Sequence, residues 1–555
     1  WTFPLLISPH DHNTVYVTSQ VVHRTTDGGQ SWQVISPDLT TNDTTKMGIS
    51  GGLTPDNIGV EYCCVIYAFD ESPAQAGVLW AGSNDGLVHV SRDDGKSWTD
   101  VTRNIPDLPP LGIVRNIDAS KYDAGKAYMT VDRHQMGDFE PYVYRTSDYG
   151  RHWTKITAGI PESPVRFARN VIEDPVRPGL LYLGTENTIY VSFDDGDHWQ
   201  PLRTNLPPAP MYWLVVQPHF NDLVVASYGR GFWILDDVTP LQQLTAEVAA
   251  SPAHLFAPRP AYRFQEITEP FAMSDDWSAG HNPPYGADIN YWLKDGTDSV
   301  TIRIMDAAGD TVRTFKGSGH AGINRAWWNL RGEPSTQIRM RTKPLYADWV
   351  PFNDEGWRAA GGRVALLEPP GTYTVALEVG GHTFTRPLTV LKDPNSEGGA
   401  ADIAKQLALL TDIRSDLDAA ARMVNRIEWM RRQLQDLASL LKARGHDDVL
   451  AADTDLEQKL IAVESRLVQL KTTGYGQDGV RYPSMVVGRL GYLAGAVESA
   501  DFPPTDQDRQ VHDLLYQQLR AQHQALAELE GGAVAAFNRL LAQKGLSGVI
   551  SQTQP

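Results

Sequence analysis

Cysteine is nearly absent: two residues in 555, and those two are adjacent, Cys63 and Cys64. Such a pair excludes the disulfide framework of a small secreted scaffold and a four-thiolate zinc site, and it reads as two small buried side chains on a strand. Long apolar runs are missing as well. No stretch approaches the roughly 18 consecutive apolar residues of a membrane-crossing helix. Positive charge is in deficit, with Lys+Arg 49 against Asp+Glu 67 and a net charge of -18, which works against nucleic acid as a partner. The opening residues Trp1-Thr2-Phe3-Pro4-Leu5-Leu6-Ile7 have no basic stretch and no small-residue cleavage site, so they do not read as a signal peptide. Hydrophobic residues at 41% suit a chain with sizeable cores, and its length predicts three to four domains at roughly 150 residues each.

What is present is repetition. An octet with the frame Ser/Thr-x-Asp-x-Gly-x-Ser/Thr/His-Trp recurs four times, ending at Trp32, Trp98, Trp153 and Trp199. Its fixed members are Asp27, Gly29 and Trp32; Asp93, Gly95 and Trp98; Asp148, Gly150 and Trp153; and Asp194, Gly196 and Trp199. Each reads as a hairpin corner: the Asp accepts from turn amides, the Gly takes a backbone angle other residues resist, and the Trp anchors the corner. The frame resembles the Asp box of BNR-type β-propellers, a group that includes sialidases, two-propeller xyloglucanases and the sortilin ectodomain.

Strand patterns between the corners predict blades at about 1–40, 58–105, 112–160, 165–205 and 211–237. The last lacks both the corner and an outer strand. The expected class is therefore mainly β with C-terminal α: about five blades over 1–240, part of a larger propeller whose N-terminal portion lies upstream or in a partner chain. A Pro-rich packed linker is expected over 241–284, and an immunoglobulin-like sandwich over 285–393 with an insertion at 331–365. Apolar residues at coiled-coil spacing from Leu407 to Leu441, and again from Leu456 to Leu470, predict an antiparallel helical hairpin or bundle over 400–548. Oligomerisation through these helices is one reading of their seams.

The phrases Ser227-Tyr228-Gly229-Arg230-Gly231-Phe232-Trp233, Gly322-Ile323-Asn324-Arg325-Ala326-Trp327-Trp328 and Pro370-Gly371-Thr372-Tyr373 carry a second resemblance. With the domain order, they are similar to a family of large bacterial secreted proteins described as BNR-repeat, sortilin-N-terminal-like or glycosyl-hydrolase-like. That resemblance covers essentially the whole chain. It implies an extracellular or periplasmic location, an upstream propeller region and a signal peptide, and no established reaction.

Blade geometry puts the corners at one end of the propeller and the candidate site at the other. That end collects Asp85, Asp132, Arg133, His134, Glu186, Tyr228 and Arg230, with Tyr62, Arg115, Arg169 and Tyr212 from the starts of the inner strands. The mixture of charge and aromatic surface suits a protein or carbohydrate ligand. Asp132 and Glu186 are the candidate pair for glycoside hydrolysis, which needs two carboxylates flanking the scissile bond. The simpler reading has them capping turns or pairing with Arg133 and Arg169. Arg115, Arg169 and Arg230 are the arginines available for a sialidase-like carboxylate clamp. No metal or cofactor is expected: His10-Asp11-His12 reads as a turn, and the corner aspartates lack a calcium-loop ligand series. The favoured reading is a secreted, non-catalytic binding or scaffolding propeller. A glycoside hydrolase and a sortilin-like peptide receptor are the alternatives.

Overall fold

The computed structural model describes residues 3–48, 63–265, 280–444 and 446–549. The chain divides into two compact units, Trp1–Leu244 and Thr245–Pro555. The first is a β-propeller arc of five antiparallel sheets, each made of consecutive strands. The inner strands are Leu5–Ile7, Ile66–Glu71, Ile113–Ala119, Ala168–Glu173 and Met211–Gln217. The fifth blade stops at three strands, ending with Phe232–Leu235.

An inner strand pairs with its own blade on one edge only, so alternate backbone N–H groups on the other edge need acceptors. Asn and Asp side chains of the preceding blade supply them. Asp70 Oδ2 accepts from Ala119 N at 2.8 Å, and Asp118 Oδ2 accepts from Glu173 N at 2.7 Å. Asn116 Oδ1 accepts from Val171 N at 2.9 Å, and Asn170 Oδ1 accepts from Leu214 N at 3.0 Å. The second, third and fourth blades are thus each locked to the next at the inner strand.

The corners lock the periphery. In each, the Asp accepts from the residue four positions on, as Asp93 Oδ1 does from Ser97 N at 2.8 Å. The corner glycines sit at positive φ, and a Cβ on Gly95 would meet the Ile35 carbonyl of the preceding blade at 2.7 Å. Trp98 Nε1 donates to Ile35 O at 3.0 Å, and Trp199 Nε1 donates to Ile156 O at 2.9 Å. Trp98 and Trp199 therefore clamp their corners onto the blade before them, and Trp153 packs edge-on against Trp80 of the preceding blade.

In the second unit two sheets face each other across one core. The smaller holds Ala253–Leu255, Ala287–Leu293 and Gly322–Trp328; the larger holds Ala261–Arg263, His382–Lys392, Gly371–Val379, Val300–Met305 and Thr311–Lys316. Ile289, Tyr291, Ile302, Trp328, Val375 and Leu377 meet between them. Here the structure corrects the expectation of a linker over 241–284. Ala253–Leu255 and Ala261–Arg263 within it are edge strands of the two sheets. Their flanking prolines, Pro252, Pro258 and Pro260, suit edges because proline costs an interior ladder a donor but an edge nothing.

The helix Ala400–Arg444 runs antiparallel to Asp447–Leu467, as the pairs Arg431–Glu464 and Gln435–Glu457 require. Helices Val486–Glu498, Asp506–Leu529 and Ala535–Gln543 complete the bundle. Seam residues Ile413, Val424, Ile427 and Leu434 are buried within this bundle, so the seam is filled by the chain itself. The 331–365 segment lies along the first helix: Thr336 N donates to Asp418 Oδ1 at 2.6 Å and Arg339 N to Asn425 Oδ1 at 2.7 Å. Among the described residues no helix is long and apolar enough to cross a membrane.

The corner tryptophans differ in burial: Trp199 is 3% exposed and Trp32 47%. Chemical denaturation of Trp199→Ala is expected to show a loss of about 3–5 kcal/mol, and Trp32→Ala a loss below about 1 kcal/mol. Equal losses would contradict the clamp.

Candidate functional site

All four inner strands from the second blade to the fifth break register near their start, within the first two pairs. The shifts fall between Ile66 and Ala68, between Val114 and Asn116 (opposite Val131 and Thr130), between Ala168 and Asn170, and between Met211 and Trp213. The residues spared a partner are Tyr67, Arg115, Arg169 and Tyr212. A bulge residue stands outside the ladder, which re-aims its side chain. Here the four converge as a stack of alternating cations and rings.

Arg115 Cζ lies 4.5 Å from the Tyr212 ring centroid and 5.1 Å from that of Tyr67, whose hydroxyl accepts from Arg115 Nη1 at 2.7 Å. Arg169 Cζ lies 5.0 Å from Tyr212 and 4.7 Å from Phe167. Phe167 stacks on His134 at 4.9 Å, and Tyr228 packs on Tyr212 at 5.7 Å. Such contacts contribute roughly 0.5–2 kcal/mol each, most where desolvated.

Arg169 also joins the candidate carboxylates. Its Nη1 donates to Asp132 Oδ2 at 2.9 Å and its Nη2 to Glu186 Oε2 at 2.5 Å. Asp132 is buried and takes His134 Nδ1 at 2.7 Å through its other oxygen. An acid catalyst must present a protonated carboxyl to a leaving group; here oxygens of both carboxylates face one guanidinium. Arg169 is spent on them, while Arg230 is exposed and donates to the Gly229 carbonyl. The three arginines do not form a free clamp. Arg133 pairs with Asp138 at 3.5 Å. Asp85 is buried, with Thr41 donating to its Oδ2. Tyr62 lies outside the described residues.

Asp85, Glu186 and Tyr228 follow the second strands of their blades and Asp132 ends one, so all four share the bulge end of the sheets. The corner aspartates and tryptophans follow the third strand, at the opposite end. Sequence reasoning missed Tyr67 and Phe167. Aligning Ile66-Tyr67-Ala68 with Val114-Arg115-Asn116, Ala168-Arg169-Asn170 and Met211-Tyr212-Trp213 would have found the first. It also misread the cysteines: Cys63 and Cys64 form a disulfide with each other, ahead of the strand rather than on it.

Below the stack a cavity of about 430 Å³ runs along the inner strands, lined by Asp70, Arg115, Asp118, Lys121, Glu173 and Trp213 among others. Burial and the nearby Asp118 charge push the Asp70 carboxyl up to about 8, and burial raises Asp118 as well.

No family model matches the chain. Vacuolar protein sorting/targeting protein 10 of Laccaria bicolor is 28% identical over 121 residues, which is 22% of this chain and 7% of that protein. The chain thus spans a small part of that curated relative. Among solved structures, the GH74 xyloglucanase from Xanthomonas campestris is 15% identical at a TM-score of 0.32, covering 71% of this chain and 80% of that one. YCF48 from Cyanidioschyzon merolae is 13% identical at a TM-score of 0.24, covering 59% and 84%.

A raised Asp70 keeps its proton in the fold where the unfolded chain has lost it, so its contribution to stability is present at low pH and declines as pH climbs from about 4 to about 8. In Asp70→Asn that decline is removed. The melting temperature of the variant relative to the parent is expected to rise steadily from pH 5 to pH 8; a flat difference would contradict the assignment.

Proposed function

We propose that the bulge end of the propeller binds a protein or carbohydrate ligand without chemically changing it, and that the sandwich and helical parts serve rigidity and assembly. The observation that carries this reading is the stack itself. Four successive blades commit their one re-aimed residue to a continuous surface of guanidinium and ring planes, which suits recognition of a planar amide, a carboxylate or a sugar face. Arg115 Nη2 is shielded and without a partner among the described residues, leaving a donor for the ligand. The cavity beneath favours the peptide-receptor form of this reading over the hydrolase form. Placement outside the cytoplasm, extracellular or periplasmic, is supported by the Cys63–Cys64 disulfide.

A second part of the proposal concerns the ends of the arc. On the fifth blade, Trp213, Ala226 and Phe232 lie side by side across three strands, as do Val215, Val224 and Ile234. Trp213 is 50% exposed and Phe232 80%. In the third and fourth blades the Trp213 position holds Asn116 and Asn170, which lock the next blade. The first blade likewise exposes Leu5, Ile7 and Val34. These faces continue the series of blade interfaces, so their occupant is a further antiparallel blade, supplied by the same polypeptide or by another.

Glycan and peptide arrays test the first part. Tyr212→Ala is expected to weaken captured binding at least tenfold, with no hydrolysis product from any bound glycan. Turnover that disappears in Asp132→Asn or Glu186→Gln would contradict a binding role. For the second part, light scattering is expected to show self-association of the chain at micromolar concentration, relieved in Trp213→Asp/Phe232→Asp; a monodisperse parent would contradict the bare-face reading.

A further inference from the structure

The antiparallel register pairs Ile66 with Ser83, so the residues just before the second blade's inner strand lie across from those just after its second strand. Asn84 ties the two together: its Oδ1 accepts from Cys64 N and Val65 N, each at 3.0 Å. Asp85 is thereby brought against the cysteine pair. Cys63 Sγ and Cys64 Sγ are bonded to each other, and both lie within 4.8 Å of a carboxylate oxygen of Asp85. Once the sulfurs are parted, all three groups are within reach of a single ion with bonds of about 2.0–2.3 Å.

Asp85 is 5% exposed, and its two oxygens are used differently. Oδ2 accepts from Thr41 N at 2.7 Å and from Thr41 Oγ1 at 2.5 Å. Oδ1 is buried with no hydrogen-bond partner among the described residues. A shielded carboxylate oxygen left unpaired is costly unless a ligand completes it. Asp85 and Cys63 also line a cavity of about 220 Å³ that gives a small solute access from the bulge end.

We propose that Cys63, Cys64 and Asp85 form a redox-gated site for a thiophilic divalent cation such as zinc or cadmium. The gate is the disulfide. A dithiol reductant breaks the sulfur–sulfur bond: the two cysteine sulfurs gain two electrons and two protons, and the reductant leaves as its own disulfide. The cation then displaces the two thiol protons and is held by two thiolates and Asp85 Oδ1. Thiolate ligands select soft and borderline metals over magnesium or calcium. Thr41 keeps the carboxylate in place.

The test uses the whole chain, reduced with dithiothreitol, desalted under nitrogen and titrated with cadmium. The readouts are the thiolate-to-cadmium charge-transfer absorbance and equilibrium dialysis. One cadmium per reduced chain is expected, with none taken by the oxidised chain. Asp85→Asn should bind at least tenfold more weakly while keeping the charge-transfer band, and Cys63→Ser should lose the band. Should Asp85→Asn fail to fold, Cys63→Ser, at a part-buried position, carries the test alone. Equal binding by oxidised and reduced protein, no binding by the reduced parent, full affinity in Asp85→Asn or a retained band in Cys63→Ser would each overturn the proposal.

Discussion

The arc depends on a small polar contact made repeatedly: an Asn or Asp side chain of one inner strand accepting a backbone N–H from the next. Apolar packing holds blades together without specifying how far one slides along another. An acceptor at Asn116, Asp118 or Asn170 does specify it, because it meets one N–H and no other. The same contact relieves the exposed edge that each inner strand would otherwise offer to foreign strands. Asp70 makes it at the expense of a carboxyl that is buried and placed beside Asp118, which is why its proton is held so firmly.

The bulge follows from the same geometry. One extra residue near the start of each inner strand from the second blade to the fifth steps out of the ladder, and the locked blades hold those residues within stacking distance of one another. Tyr67, Arg115, Tyr212 and Arg169 are far apart in sequence, and only blade alignment brings them into one stack. Arg169 then ties Asp132 and Glu186 into the wall of the site. The two carboxylates weighed as a catalytic pair along the chain both pair with that guanidinium.

Most of the β architecture was legible because its signals are local. Four Asp-Gly-Trp corners and the apolar runs between them are enough to place the inner strands, and the seam from Leu407 to Leu441 is enough to place the long helix. What escaped depends on pairing. Ala253–Leu255 and Ala261–Arg263 are short and proline-flanked, so nothing local marks them as sheet edges. Tyr67 is one tyrosine among many until the register shift singles it out. Cys63 and Cys64 gave no sign of the bond between them. Asp85 was found as a loop residue on the right face, but its nearness to the cysteines follows only from the Ile66–Ser83 pairing.

The central claim is that side-chain acceptors, not apolar packing alone, hold neighbouring inner strands in register. Amide hydrogen exchange resolved to Val171 and Leu214 tests it most directly, comparing the parent with Asn116→Ala and Asn170→Ala. The account predicts that Asn116→Ala speeds exchange at Val171 at least tenfold and leaves Leu214 slow, with the reverse for Asn170→Ala. Unchanged exchange at both amides in both variants would contradict it.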